Sequence, residues 1–194
     1  VSPDEKENAV ATPARGGVGA AGPSPTLLSI VRVIDTISEW SGRIFCWLII
    51  PLMLGTTYEV IARYGFNAPT VWAYDLSYML YGSHFMLGAA YTLLKGGHIR
   101  TDIFYQNWSP RTQGRVDALL YLLLFFPGMF FFFWMGSQEA LHAWAIQERS
   151  DASPWRPIVY PLKTVLPVTA ALILIQGVSE FIKSGYRALT GRSL

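Results

Sequence analysis

The 194-residue chain is poor in charge and nearly devoid of cysteine. Only 14% of its residues are Asp, Glu, Lys or Arg, against about 25% in an ordinary soluble domain. The single cysteine, Cys46, lies in an apolar run, and one thiol closes no intrachain disulfide and builds no thiolate metal cluster. A formal net charge of +2 gives no reason to expect nucleic acid. No serine–base pair, phosphate-cradling glycine loop or carboxylate dyad stands out, so no catalytic, metal or cofactor motif is read. Internal repeats with matching broken helices, which point to many transport sites, are missing as well. The first residues lack the basic start and apolar core of a secretory signal, so the first span is expected to double as the insertion signal.

What is present is apolar length. Hydrophobic residues make up 52% of the chain and aromatic ones 14%, gathered into runs long enough for a hydrocarbon layer of about 30 Å at about 1.5 Å per residue. The expected class is an all-α integral membrane protein. Residues 1–25, rich in Ala, Gly, Pro and Ser, read as a disordered tail, and residues 26–194 as one membrane domain. Between Leu27 and Trp40, Leu27, Ile30, Val31, Ile34 and Ile37 share a side while Arg32, Asp35 and Glu39 lie elsewhere. That pattern predicts an amphipathic helix on the membrane surface. Four crossings are expected to follow as a small bundle, at about residues 44–62, 72–94, 116–146 and 158–182. Ser109-Pro110 marks the helical start ahead of the third, and Pro127-Gly128 predicts a bend within it.

Lysine and arginine set the expected orientation. Arg32, Arg43, Lys95, Arg100, Arg111, Arg115, Lys183, Arg187 and Arg192 fall on one side of the crossings, and Arg63, Arg149 and Arg156 on the other. The richer side holds both termini and the middle loop, which are therefore expected in the cytoplasm. Trp144, Trp155 and Tyr160 then flank the outer interface, and Trp40, Trp108 and Tyr186 the inner one, as an aromatic belt.

The candidate functional residues are polar groups at membrane depth, where a charge is costly unless paired or used. Glu59 and Arg63, four apart, share a helix face. Asp75, across a short loop, is expected to reach the same arginine. An ion path would need ionisable groups through the full depth, and Ile44 to Tyr58 has none, which favours a structural or partner-docking latch at the outer end. In the second crossing Ser77, Tyr81, His84, Gly88, Tyr91 and Lys95 form a small or polar stripe that predicts a protein contact. Gly136 and Ala140 form a similar small-residue pair in the third. His84 and His142 fall at different depths, which argues against a haem between them. His98, Arg100 and Asp102 make a polar corner on the cytoplasmic side.

The successive stretches RYGFNAPTVWAYDLSYML, GAAYTLLKGGHIRTDIFY and SPRTQGRVD resemble the small membrane subunit of TRAP (tripartite ATP-independent periplasmic) transporters. HAWAIQERSDASPWRPIVYPLK resembles its mannitol/chloroaromatic branch. The likeness runs from about Arg32 to Ile182 and includes Arg63-Tyr64, Trp72, Asp75, Gly97-His98 and Asp102. Asp75 stands where the family often has a glutamate. The resemblance implies a non-catalytic bacterial inner-membrane subunit without cofactor. Its implied partners are a large permease carrying the substrate and sodium sites, a periplasmic solute-binding protein that delivers organic acids, and membrane lipid. It implies an outer latch at Arg63 and Asp75, and a bracing role for His98, Arg100 and Asp102. A scaffold subunit of another membrane assembly, such as an energy-converting complex, is the alternative.

Overall fold

The computed structural model describes residues 24–96, 105, 108–192 and 194. The expected tail therefore lies, apart from Ser24 and Pro25, outside the described residues. Helix α1 (Pro25–Phe45) begins where Ser24 accepts the Leu27 N–H at 3.3 Å and Pro25 occupies the first turn. A 3-10 turn, Cys46–Leu48, carries it into α2 (Ile49–Gly65). Then come α3 (Ala73–Leu87), α4 (Ala89–Leu94), α5 (Pro110–Leu120), α6 (Phe126–Ala145) and α7 (Tyr160–Thr190). No strand occurs among the described residues; a single bridge, Arg149 to Ile158, pins the last loop.

Three helical stretches are long and apolar enough to cross a membrane: Pro25–Gly65, Pro110–Ala145 and Tyr160–Thr190, of 41, 36 and 31 residues. At 1.5 Å per residue they measure about 62, 54 and 46 Å, each longer than the hydrocarbon layer. The segment expected as one crossing, Trp72–Leu94, is instead two helices, α3 and α4, that meet at Gly88. Both the N–H and the hydroxyl of Thr92 go to the Gly88 carbonyl, at 3.0 and 3.1 Å.

The long helix Pro110–Ala145 changes its winding at a proline. Pro127 lacks an N–H, and its ring crowds the carbonyl four residues back. Just before it, Tyr121–Phe125 widens into a π turn, with the Phe126 N–H on the Tyr121 carbonyl. The wider turn lets consecutive residues both reach α7. Phe125 covers Gly177, and the Phe126 ring meets Phe181 edge-on at 5.8 Å between centroids.

Helix α7 is the spine: α1, α3, α4, α5 and α6 all pack on it, while α2 leans on α3. The buried apolar core is mostly alanine (Ala62, Ala73, Ala90, Ala140, Ala143 and Ala170), and large residues such as Phe130, Phe131, Trp134 and Met135 point outward. That is the reverse of a soluble domain and the arrangement suited to lipid, where small residues let helices approach and large apolar ones meet acyl chains. Gly136 shows it directly, since a Cβ there would lie 3.3 Å from the Leu166 Cβ and 3.4 Å from the Pro167 nitrogen.

Helix α1 turns a mostly polar face to the bundle. Of its predicted apolar side Val31 is buried, but Leu27, Ile30 and Ile37 are exposed. The face that meets the bundle is Val31, Asp35, Ser38 and Gly42. Polar groups on α7 claim Asp35, and the Tyr91 ring fills the space beside Gly42.

Candidate functional site

The loops between α2 and α3 and between α6 and α7 meet at one end of the bundle. On the first side, Arg63 donates through Nε and Nη2 to Glu59 Oε1 at 2.9 and 2.5 Å. The other carboxylate oxygen of Glu59 accepts the Thr70 N–H at 3.1 Å and the Thr70 hydroxyl. Glu59 thus ties the connecting loop back onto α2, and the Tyr58 and Trp72 rings stack across it at 5.7 Å. The arginine is half exposed, so the ion pair itself contributes little.

Asp75 behaves differently from expectation. It does not turn to Arg63, which closes on Glu59. It is 1% exposed and points into the loop at residues 146–159, where it accepts the hydroxyls of Ser150, at 3.2 Å, and Ser153. Those hydroxyls in turn accept the N–H groups of Ala152 and Trp155, at 3.1 and 3.3 Å. Each serine therefore closes a tight turn with one lone pair and holds Asp75 with its proton. The carboxylate lies in the first turn of α3, where unpaired N–H groups and the positive end of the helix dipole favour an anion. This explains how a charge sits wholly buried opposite neutral donors.

The same loop is held at its base by a lysine. Lys163, in the first turn of α7, donates to Glu139 of α6 at 2.6 Å and to both oxygens of Glu148 at 2.7 and 2.6 Å. Helix α6 ends in a left-handed residue, Gln147 at φ 48°, with the Glu148 N–H returning to the Ala143 carbonyl at 3.0 Å. A non-glycine residue in that conformation costs about 1–2 kcal/mol. The turn aims Glu148 at Lys163, an ion pair that offsets the cost.

His84 donates from Nδ1 to the Phe45 carbonyl at 3.1 Å; a carbonyl only accepts, so this nitrogen carries the proton. The contact falls at the 3-10 turn, where the Ile49 N–H is drawn to the Cys46 carbonyl instead of Phe45. His84 thereby supplies a donor at the one irregular point of the 41-residue rod. Gly88 is not a close-approach site: a Cβ there would meet only its own helix carbonyls, His84 at 3.2 Å and Phe85 at 3.8 Å. That role belongs to Gly42, Gly114, Gly136 and Gly177. His98, Arg100 and Asp102 lie outside the described residues.

Sequence reasoning missed a cluster at the opposite end. Asp35 accepts from Gln176 at 3.1 Å and Ser179 at 2.7 Å, and pairs with Lys183 at 2.8 Å. Lys183 also holds Glu180 at 2.8 Å. Gln176, Ser179 or Glu180, and Lys183 recur at helical spacing, a polar stripe that marks this face of α7. Among the described residues no group of three His, Cys, Asp or Glu is placed to hold a metal.

Long apolar helices with small residues between them, an anion buried at one end and lysine-centred ion pairs at both describe a membrane subunit built for packing. Residues 52–184 match the family model described as "Tripartite ATP-independent periplasmic transporters, DctQ component". The chain belongs to this DctQ family. It is the small membrane component of a tripartite transport system and works with the other subunits of that system. The match takes in Glu59, Arg63, Asp75 and His84, the loop that Asp75 holds, and most of α7. Curated proteins include no match to this DctQ-family chain.

Proposed function

We propose that this chain is a non-catalytic scaffold subunit: it widens the membrane body of a large TRAP permease and helps dock the periplasmic solute-binding protein during ion-coupled uptake of an organic acid. In this reading Pro25–Gly65, α3 with α4, Pro110–Ala145 and Tyr160–Thr190 make four crossings. Both termini are cytoplasmic, in the bacterial inner membrane, and the loop that Asp75 holds faces the periplasm. The start of α1 runs along the inner surface with Leu27, Ile30 and Ile37 in the lipid interface. The branch is the mannitol/chloroaromatic-like one.

One observation carries the reading. The sole wholly buried charge among the described residues, Asp75, organises a loop at the bundle end through two serine hydroxyls. A group used for conduction stands in a path, and a group used for assembly shapes a surface. The test is purification in mild detergent with identification of every copurifying chain. A large permease is expected with the natural chain and loss of it, or of uptake, with Asp75→Ala. Full recovery of complex and transport by Asp75→Ala would remove the latch, and copurification of redox-bearing chains in place of a permease would favour the other assembly.

A further inference from the structure

Four arginines surround the contact between the start of α5 and the end of α7. Gly114 lets the two helices touch backbone to backbone: a Cβ there would lie 2.7 Å from the Ser184 carbonyl oxygen and 2.9 Å from the Ala188 Cα. Arg115 follows Gly114 and Arg187 precedes Ala188, so both flank this contact. One turn away, the Arg111 side chain lies across Gly191, with Cγ and Nε 3.4 and 3.5 Å from where a Cβ would stand. Arg192 is the next residue. Among the described residues none of the four has a carboxylate partner. The acid on α5, Asp117, takes the Tyr105 hydroxyl at 2.5 Å, and the acids higher on α7 and on α1 are taken by Lys183.

The carbonyl end of α7 offsets little of this charge. A helix C-terminus carries about half a negative charge, against four guanidinium groups, so among the described residues most of the positive charge is unanswered. The position is also specific. Arg187 is one turn beyond Lys183, about 6 Å along the helix, on a helix that outruns the hydrocarbon layer and ends at headgroup depth. Leu119, Leu120 and Leu189 are exposed beside the arginines. A planar guanidinium binds a phosphate oxygen pair, and apolar side chains next to it suit acyl chains.

We propose that this junction of α5 and α7 is a binding site for an acidic phospholipid, with its phosphate on the arginines and its chains along the exposed leucines. The proposal needs the helices to cross a bilayer, and it stands whether or not the chain scaffolds a permease. The full chain, with any subunits that stay bound, is purified in mild detergent and studied by native mass spectrometry. The probes are phosphatidylglycerol, phosphatidylcholine of the same chains, and inorganic phosphate. Phosphatidylglycerol should be retained over phosphatidylcholine, and Arg111→Gln with Arg192→Gln should lower that retention about tenfold. Arg32→Gln, an exposed arginine elsewhere, should change nothing. Should the first pair fold poorly, Arg115→Gln with Arg187→Gln reads out the same site. Equal retention of the two lipids, an equal loss with Arg32→Gln, or unchanged preference in the cluster variants overturns the proposal. Displacement of the lipid by millimolar phosphate overturns it too, since the site would then serve a free anion.

Discussion

At the loop end of the bundle, Asp75 is wholly buried and held by two serine hydroxyls; at the opposite end, Asp35 keeps some exposure and faces a lysine as well as Ser179 and Gln176. The first arrangement joins a helix to a loop, and the second joins two helices. The first therefore sets the shape of a surface, while the second decides whether α1 stays on α7. The lysines differ in one partner: Glu139 beside Lys163 is half exposed, whereas Glu148 and both partners of Lys183 are less than a third exposed. Similar chemistry thus supports local order at one end and global packing at the other.

The largest effect should come from the helix contact at the Asp35 end. Gly114→Val would drive a branched side chain into the backbone of Ser184 and Ala188, which has no room to yield. A loss of about 3 kcal/mol or more is expected, at the upper end of overpacking costs, read as lower thermal stability in detergent. Next, Lys183→Met leaves Asp35 and Glu180 without their cation and should cost about 2–3 kcal/mol, somewhat under the figure for a fully buried pair. Adding Asp35→Asn should recover part of that loss, and a double-mutant cycle with no coupling would contradict the pairing. Lys163→Met should cost less, about 1 kcal/mol, because its partner Glu139 is half exposed. Equal losses for the two lysines would erase the distinction between the ends.

For Asp75→Asn the expected change is local, and a smaller shift in global stability than with Lys183→Met should accompany it. Limited proteolysis near Ser150 to Trp155 should quicken several-fold, since both serine hydroxyls lose charge-assisted acceptors. A small effect, comparable with that of Lys163→Met, is expected for His84→Phe. It removes one hydrogen bond, worth about 1 kcal/mol, and should raise hydrogen exchange around Cys46–Leu48. An unchanged exchange pattern there would mean that His84 does not support the turn.

Much of this was legible in the residues. Apolar run length announced three helices long enough to cross a membrane, Ser109-Pro110 the start of α5, and Pro127 the irregular turn beside it, because each is a local matter of chain length or missing N–H. Glu59 with Arg63 was readable for the same reason, being one turn apart. The partner of Asp75 was not, since Ser150 and Ser153 come close only after α3, α6 and α7 have packed. The Asp35 cluster left a trace in the polar stripe of α7, but its other half sits on a helix whose apolar side drew attention away. The break at Gly88 leaves no mark in hydropathy, since the residues on both sides of it are apolar. Gly88 was also the wrong glycine: close approach depends on which face meets a neighbour, and Gly42 is the one against Tyr91.

The two lysines on α7 stand 20 positions apart, about 30 Å along the axis, and each is tied to an acid outside α7. The helix is therefore fastened at both rims and has no freedom to slide along its own length. When the surrounding bilayer thickens or thins, the adjustment falls on the tilt of the whole bundle and on the nearest ring of lipid.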